Sequence, residues 1–186
     1  MTGEANDYVG KGMSGGRIAI RPPDGDAGDP CLIGNTALYG ATGGELYCAG
    51  SAGERFAVRN SGAVAVVEGT GEHPCEYMTA GTVVVLGDPG PNLGAGMTGG
   101  EAFVFDPGGL LERRLNHELV GSHRLRPEDL IVLHELIERH LRYTGSARAA
   151  DLLDAWTTAS ESFARVVPKS EVARLQSLAE GSAAPA

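Results

Sequence analysis

Four short stretches of this chain carry residue types whose spacing could do chemistry. Gly12-Met13-Ser14-Gly15-Gly16 has the form GxSxG, in which a serine on a strand-to-helix elbow attacks a carbonyl. Overlapping it, Gly10-Lys11-Gly12-Met13-Ser14-Gly15 has the form GxGxxG, which holds a pyrophosphate when it opens a helix. His134 and His140 bracket the run HELIERH and could tempt a zinc ion, while His73 stands two residues from Cys75 as a base beside a thiol would.

Each chemistry demands an element to position it, and the elements disagree. Both glycine motifs need a helix after them, whereas the Arg17-Ile18-Ala19-Ile20 that follows is strand-like. On a helix, six residues at about 100° each carry His134 and His140 roughly 120° apart, whereas zinc-binding pairs sit four apart on one face. Glu135, Glu138, Arg139 and Arg142 make that stretch read as a charged, solvated surface. Cys31, Cys48 and Cys75 form no CxxC pair, which fits reduced thiols rather than a disulfide framework or a zinc site. No GxxxxGK[ST] loop is present. The expectation is therefore no catalytic residue, no cofactor-binding residue and no metal ligand in this chain.

Composition narrows the classes further. Glycine makes up 28 of 186 residues, roughly twice the usual share of about 7%, yet residues 110–143 hold only Gly121, which excludes collagen. A hydrophobic fraction of 42% is enough apolar material for a folded chain. The net charge of −9 opposes broad phosphate neutralisation, so neither nucleic acid nor an anionic membrane is expected as a partner. With no basic region and apolar run at the start and no stretch of about 20 apolar residues, the expected location is cytoplasmic.

The glycines punctuate a repeat. GNTALYGATGG from Gly34, GERFAVRNSGA from Gly53, GEHPCEYMTAG from Gly71 and GPNLGAGMTGG from Gly90 align without gaps, their leading glycines 18 or 19 residues apart. Each has a hydroxyl residue eight positions on, Thr42, Ser61, Thr79 or Thr98, and Ser14 marks an earlier copy. The polar insertion PPDGDAGDP between the first two copies reads as a surface loop. Four positions beyond the hydroxyls stand Ile18, Leu46, Ala65, Val83 and Ala102; six beyond stand Ile20, Cys48, Val67, Val85 and Val104. Two apolar columns two residues apart predict one short strand per copy, with that face inward. A repeat this short leaves no room for a helix between parallel strands, so the copies predict a parallel β-helix with one turn per repeat. Within it, Cys75 shares its slot with Leu38, Ala57 and Gly94, and Cys48 its column with Ile and Val, so both thiols read as buried small hydrophobes.

The intervening column, Ala19, Tyr47, Val66, Val84 and Phe103, points outward and is still apolar, which requires a cover. Residues 127–144 supply one candidate, a helix with Leu130, Leu133, Ile137 and Leu141 on one stripe and Gly145 as its stop. Residues 146–167, with Leu152, Leu153, Trp156 and Phe163, read as a second helical stretch, and Pro168 precedes a short third. The predicted division is a glycine-repeat β-helix over 1–106, a helical tail over 107–178 packing on or beside it, and disorder over 179–186.

The run GEANDYVGKGMSGG, the continuous stretch from Ile33 to Gly87, and NLGAGMTGGEAFVFD closely resemble the glycine-repeat (GXGXG) domain at the C-terminus of the large, or alpha, subunit of glutamate synthase. EDLIVLHELIERHLRYTGSARAADLL and SFARVVPKS are similar to the helical end of that subunit, so the likeness covers about residues 3–170. The resemblance implies a right-handed β-helix and a non-catalytic structural role, bracing a glutaminase domain and an FMN-binding synthase domain with an iron–sulfur cluster. FMN and the cluster would belong to those partner domains, and none of the family's catalytic motifs falls on this chain. The family carries coils ahead of the point where this sequence starts, which predicts that the first turn needs a partner, whether synthase-like domains or a homo-oligomer. The fold also admits a stand-alone subunit of the N-methylglutamate synthase or formylmethanofuran dehydrogenase type, or a reused interaction scaffold.

Overall fold

A computed structural model describes residues 1–23, 28 and 30–173. The expected disorder of 179–186 and most of the insertion loop lie outside the described residues. Among the described residues no helix is long and apolar enough to cross a membrane.

Five parallel strands stack in the order the repeat predicts: β1 (Ser14–Ile20), β3 (Gly43–Ala52), β4 (Ser61–Thr70), β5 (Ala80–Val85) and β6 (Glu101–Phe105). A short β2 (Cys31–Ile33) pairs with the far end of β3. Along the strand bodies the register matches the repeat alignment, with Ile20 beside Cys48, Cys48 beside Val67, Val67 beside Val85 and Val85 beside Val104, while at the strand heads it slips by one so that Ser14 faces Gly43 and Ser61 faces Ala80. All five side chains are buried in one core with Leu46, Ala65, Val83 and Ala102, while Ile18 packs at its edge. The chain is a parallel β-solenoid.

Between strands the chain turns through an arc in which every second residue is left-handed. The slots are Tyr8, Gly10 and Gly12; Thr36, Leu38 and Gly40; Arg55, Ala57 and Arg59; His73, Cys75 and Tyr77; and Asn92, Gly94 and Gly96. Alternation of hand makes successive backbone groups face opposite neighbours. The first and third slots donate forward, as Arg55 N–H does to Glu72 O and Arg59 N–H to Glu76 O, and the middle slot donates backward, as Ala57 N–H does to Ala37 O. Side chains add rungs, Asp7 accepting from Asn35 N–H and Asn35 from Glu54 N–H. Buried Asn60 accepts from Gly62 and Ala63 and donates to the Ala63 carbonyl, satisfying the backbone where β4 and β5 slip register.

The segment after Asp106 differs from a purely helical tail. It contains β7 (Val120–Arg124), α1 (Pro127–Thr144), α2 (Ala147–Asp154), α3 (Trp156–Ala159) and β8 (Phe163–Pro168), and β8 pairs antiparallel with both β6 and β7. The second helical stretch therefore stops well short of 167. Phe163 continues the apolar spacing of the helices, but FARVVP is β-branched and apolar, and the free edge of β6 offers it a ladder. Helix resumes over 169–173.

α1 spans the predicted limits and ends on left-handed Gly145. Its Leu133, Leu136 and Ile137 join Ala149, Leu152 and Phe163 over Tyr47, Val66, Val84 and Phe103, covering the outward column. At its start Arg126 N–H and the Arg126 guanidinium both donate to Asp129, with Arg165 3.7 Å away and itself bonded to Glu101 on β6. Burial alone would raise the Asp129 pKa, but the Arg126 side-chain and backbone hydrogen bonds, with the charges of Arg165 and Arg126, outweigh it and hold the carboxyl below its ordinary value.

Two outcomes follow for stability. A carboxyl depressed in the folded state stabilises above its unfolded pKa and loses that contribution as pH falls through the folded value. Asp129→Asn should therefore cost roughly 1–2 kcal/mol at neutral pH and flatten the acid limb of a melting-temperature profile; an unchanged acid limb would show that Asp129 does not drive it. At Gly99, a side-chain carbon would strike the Thr79 carbonyl, whereas at Gly15, the same slot in the first coil, it would meet nothing within 4 Å. Gly99→Ala should cost about 1–3 kcal/mol in urea denaturation while Gly15→Ala stays near neutral.

Candidate functional site

The sequence motifs dissolve on inspection of their geometry. Ser14 is exposed at the head of β1, paired with Gly43, and a strand rather than a helix follows it. The Gly10–Gly15 turn likewise runs into that strand. His73 and Cys75 occupy alternate slots of one arc, which sends the imidazole outward to Asn92 at 3.1 Å and the thiol into the core. Burial pushes the Cys75 thiol up to about 12, and burial, followed by the negative field of Glu68, does the same to Cys48. Neither supplies a thiolate at neutral pH.

HELIERH requires a correction. His134 is partly exposed, 3.7 Å from Glu138 and edge-on to Trp156, but His140 is 0% exposed rather than solvated. The spacing that separates the two imidazoles on the helix turns one of them into the seam with the sheet, where the neighbouring Arg139 also reaches across to Glu45 on β3.

That seam holds a buried polar cluster that joins the tail to the solenoid. Glu68, 9% exposed on β4, faces His140 Nε2 at 3.3 Å, accepts a short hydrogen bond from Ser146 Oγ on the same oxygen, and lies 3.8 Å from Arg148 Nε. Ser146 is also the N-cap of α2, accepting from Ala149 N–H at 2.9 Å. Thr144 donates to the His140 carbonyl and accepts from Ser146 N–H. Tyr47 lies under the same helix, its ring 6.2 Å from His140, and burial pushes its phenol up to about 12. Its hydroxyl and His140 Nδ1 are buried with no partner among the described residues. A cleft of about 930 Å³ opens beside the cluster, with Arg21, Glu68, Thr144, Ser146, Arg148 and Asp151 on its walls.

A serine, a histidine and a glutamate in contact do not make a relay here. Nucleophile activation runs from hydroxyl to imidazole to carboxylate, whereas Ser146 and His140 both address the carboxylate. The residues present also do not fit the groups the family implies. An iron–sulfur cluster takes cysteines converging on one point, and Cys31 is exposed on β2 while Cys48 and Cys75 are separately buried. Among the described residues no three His, Cys, Asp or Glu side chains converge on a metal position. At the start of α2, Glu68 already holds the capping serine and would repel a phosphate. What the cluster can do is fasten α1 and α2 to β4.

Sequence reading missed Glu68 and Ser146. Ser146 had a signal, a capping hydroxyl directly before ARAADLLD. Glu68 had a fainter one, a single acid in the apolar strand SGAVAVVEGT.

Comparison with known proteins resolves the family. Residues 1–169 match the family defined by the GXGXG motif. The chain belongs to the GXGXG family. This GXGXG chain is 48% identical over 189 aligned residues to the glutamate synthase [NADPH] large chain of Bacillus subtilis, an alignment covering 99% of it and 12% of that protein. It is 49% identical to the chloroplastic ferredoxin-dependent glutamate synthase of Spinacia oleracea and 52% to the ferredoxin-dependent glutamate synthase of Pyropia yezoensis, in each case over 92% of this chain and 11% of the relative. It thus spans about a tenth of the length of these relatives.

Removing the Glu68 carboxylate should loosen the seam. Glu68→Ala leaves Ser146 and His140 buried without their acceptor and should cost roughly 2–4 kcal/mol, with Glu68→Gln costing less because its amide oxygen still accepts from Ser146. Urea denaturation with amide exchange over α1 and α2 reads both, and equal stability of Glu68→Ala and wild type would show that the cluster does not fasten the helices.

Proposed function

We propose that this chain is a non-catalytic bracing module of a glutamate synthase-type assembly, a rigid solenoid on which glutaminase-like and FMN-binding domains or subunits are held. The observation that carries the proposal is the match of nearly the whole chain to a short stretch of glutamate synthase large chains. It is supported by the way the chain's reactive groups are committed: both core thiols are protonated hydrophobes, and the Glu68 cluster is consumed in fastening helices.

The purified chain should then release no ammonia from glutamine and carry no flavin, and affinity purification from its native host should retain chains bearing those two domains. Glutamine hydrolysis by the isolated chain, or stoichiometric flavin in it, would overturn the non-catalytic reading. Retention of unrelated partners alone would overturn the assembly.

A further inference from the structure

β7 is a free edge of the sheet, because among the described residues it pairs with β8 and with no other strand. Antiparallel partners alternate: one residue exchanges both backbone bonds with its neighbour, and the next turns both groups away. Lys169 N–H donates to the Leu119 carbonyl, which sets the phase of that alternation on the β7 side. Gly121 and His123 therefore bond to β8, opposite Val167 and Arg165. The other edge of β8 agrees, since Asp106 N–H donates to the Ser162 carbonyl and turns Ala164 and Val166 toward β6. Val120, Ser122 and Arg124 are left with N–H and C=O groups facing outward, and among the described residues none of these groups has a backbone partner.

Sheets blunt such an edge with proline, with lysine in the strand, or with a covering segment. The strand VGSHR contains neither residue, and its one permanent charge, Arg124, stands at its end. A side-chain carbon at Gly121 would meet only His123 Nε2 at 3.7 Å, so the face of the strand is open there. Leu119, 38% exposed, and half-buried Leu125 flank it on either side.

This edge complements itself in one register. With two copies antiparallel about an axis at Ser122, Ser122 faces its twin and Val120 faces Arg124, so every outward N–H meets an outward C=O. On the other face of the ribbon Gly121 lies across from His123 and Leu119 from Leu125, which sets an imidazole over a residue without a side chain and leucine against leucine. Moving the axis by one residue spoils the fit. At Gly121 it brings Arg124 opposite Glu118, whose N–H already goes to Asn116 Oδ1; at His123 it brings Val120 opposite Arg126, whose N–H is held by Asp129, and sets the two imidazoles against each other. We infer that β7 is a docking edge for a second copy of this chain, joining two solenoids in one continuous sheet about a two-fold axis at Ser122. Such a pairing consumes both edges and ends at the dimer. It asks nothing of a glutamate synthase-type assembly, and failure of either reading leaves the other standing.

Sedimentation equilibrium of the full chain should show monomer and dimer and no larger species. Ser122→Pro removes the central N–H from each copy at a position where β8 needs none, so it should weaken dimerisation at least about tenfold with little change in melting temperature. Ser122→Ala keeps that N–H and gives up only the hydroxyl bond to Glu112, and its dimer should stay within about threefold of wild type. Raising the protein concentration should slow amide exchange at Val120, Ser122 and Arg124 and leave Gly121 and His123, already bonded to β8, unchanged. A chain still monomeric at about 1 mM, even one that captures a foreign strand along β7, would overturn the inference. So would a dimer that Ser122→Pro leaves intact, an open series of larger oligomers, or exchange at Val120, Ser122 and Arg124 that ignores concentration.

Discussion

The alternating hand of the arcs is the constraint on which everything else rests. A left-handed residue with a side chain gives up roughly 1–2 kcal/mol, and among the described residues ten that are not glycine hold that conformation, Leu38, Ala57 and Cys75 among them. One hydrogen bond per strained residue returns about 1 kcal/mol on net, so the arcs are at best neutral taken alone. They persist because the middle slot delivers its side chain into the core, where Leu38, Ala57 and Cys75 pack fully buried between strands. Apolar burial holds the backbone in a conformation the chain would not choose locally, and that conformation in turn aligns the strands in register.

A stack built this way has two faces to protect, and the tail protects one of them. The interior columns look after themselves, but Tyr47, Val66, Val84 and Phe103 point outward and would expose a continuous apolar stripe. Covering it with α1 and α2 requires crossing polar ground at Glu68, and the structure accommodates the charge by giving it two hydroxyl and imidazole partners supplied by the covering helices themselves. Arg139 on α1 repeats the device at Glu45, which Arg17 on β1 also pairs while stacking 4.0 Å over the Tyr143 ring. Ion pairs at this boundary set where the helices sit, while the stripe beneath supplies the driving force for their docking.

Much of this was legible in the sequence, and the exceptions share a cause. Repeat spacing identified the stacked columns down to the pairing of Cys48 with Val67, because a side-chain period of two fixes a strand's faces once any one residue is placed. On α1 a period of 3.6 likewise placed Leu133 and Ile137 on the covering face, with Leu141 at its edge, although Leu136 packs there and Leu130 does not. The left-handed slots at Leu38, Ala57 and Cys75 were not, since nothing in an ordinary residue marks a backbone forced on it by neighbours. β8 and His140 were misread because each depends on a surface that local periodicity does not describe: the open edge of β6 in one case, and the polar seam over β4 in the other. Tertiary context decides such positions.

The far end of the solenoid is closed without a further arc. Continuing the stack beyond the fifth coil would need another arc with the same alternation, and the sequence after Phe105 abandons the glycine repeat, so the chain closes that end by other means. Residues 114–116 meet Leu93, the Val120 side chain seats against Gly94, and β8 reverses direction to pair with β6. An antiparallel strand can do this because it does not have to match the directional donors and acceptors of an arc; it needs only the strand edge. The strand edge of β6 at the far end is thus covered with ordinary sheet chemistry.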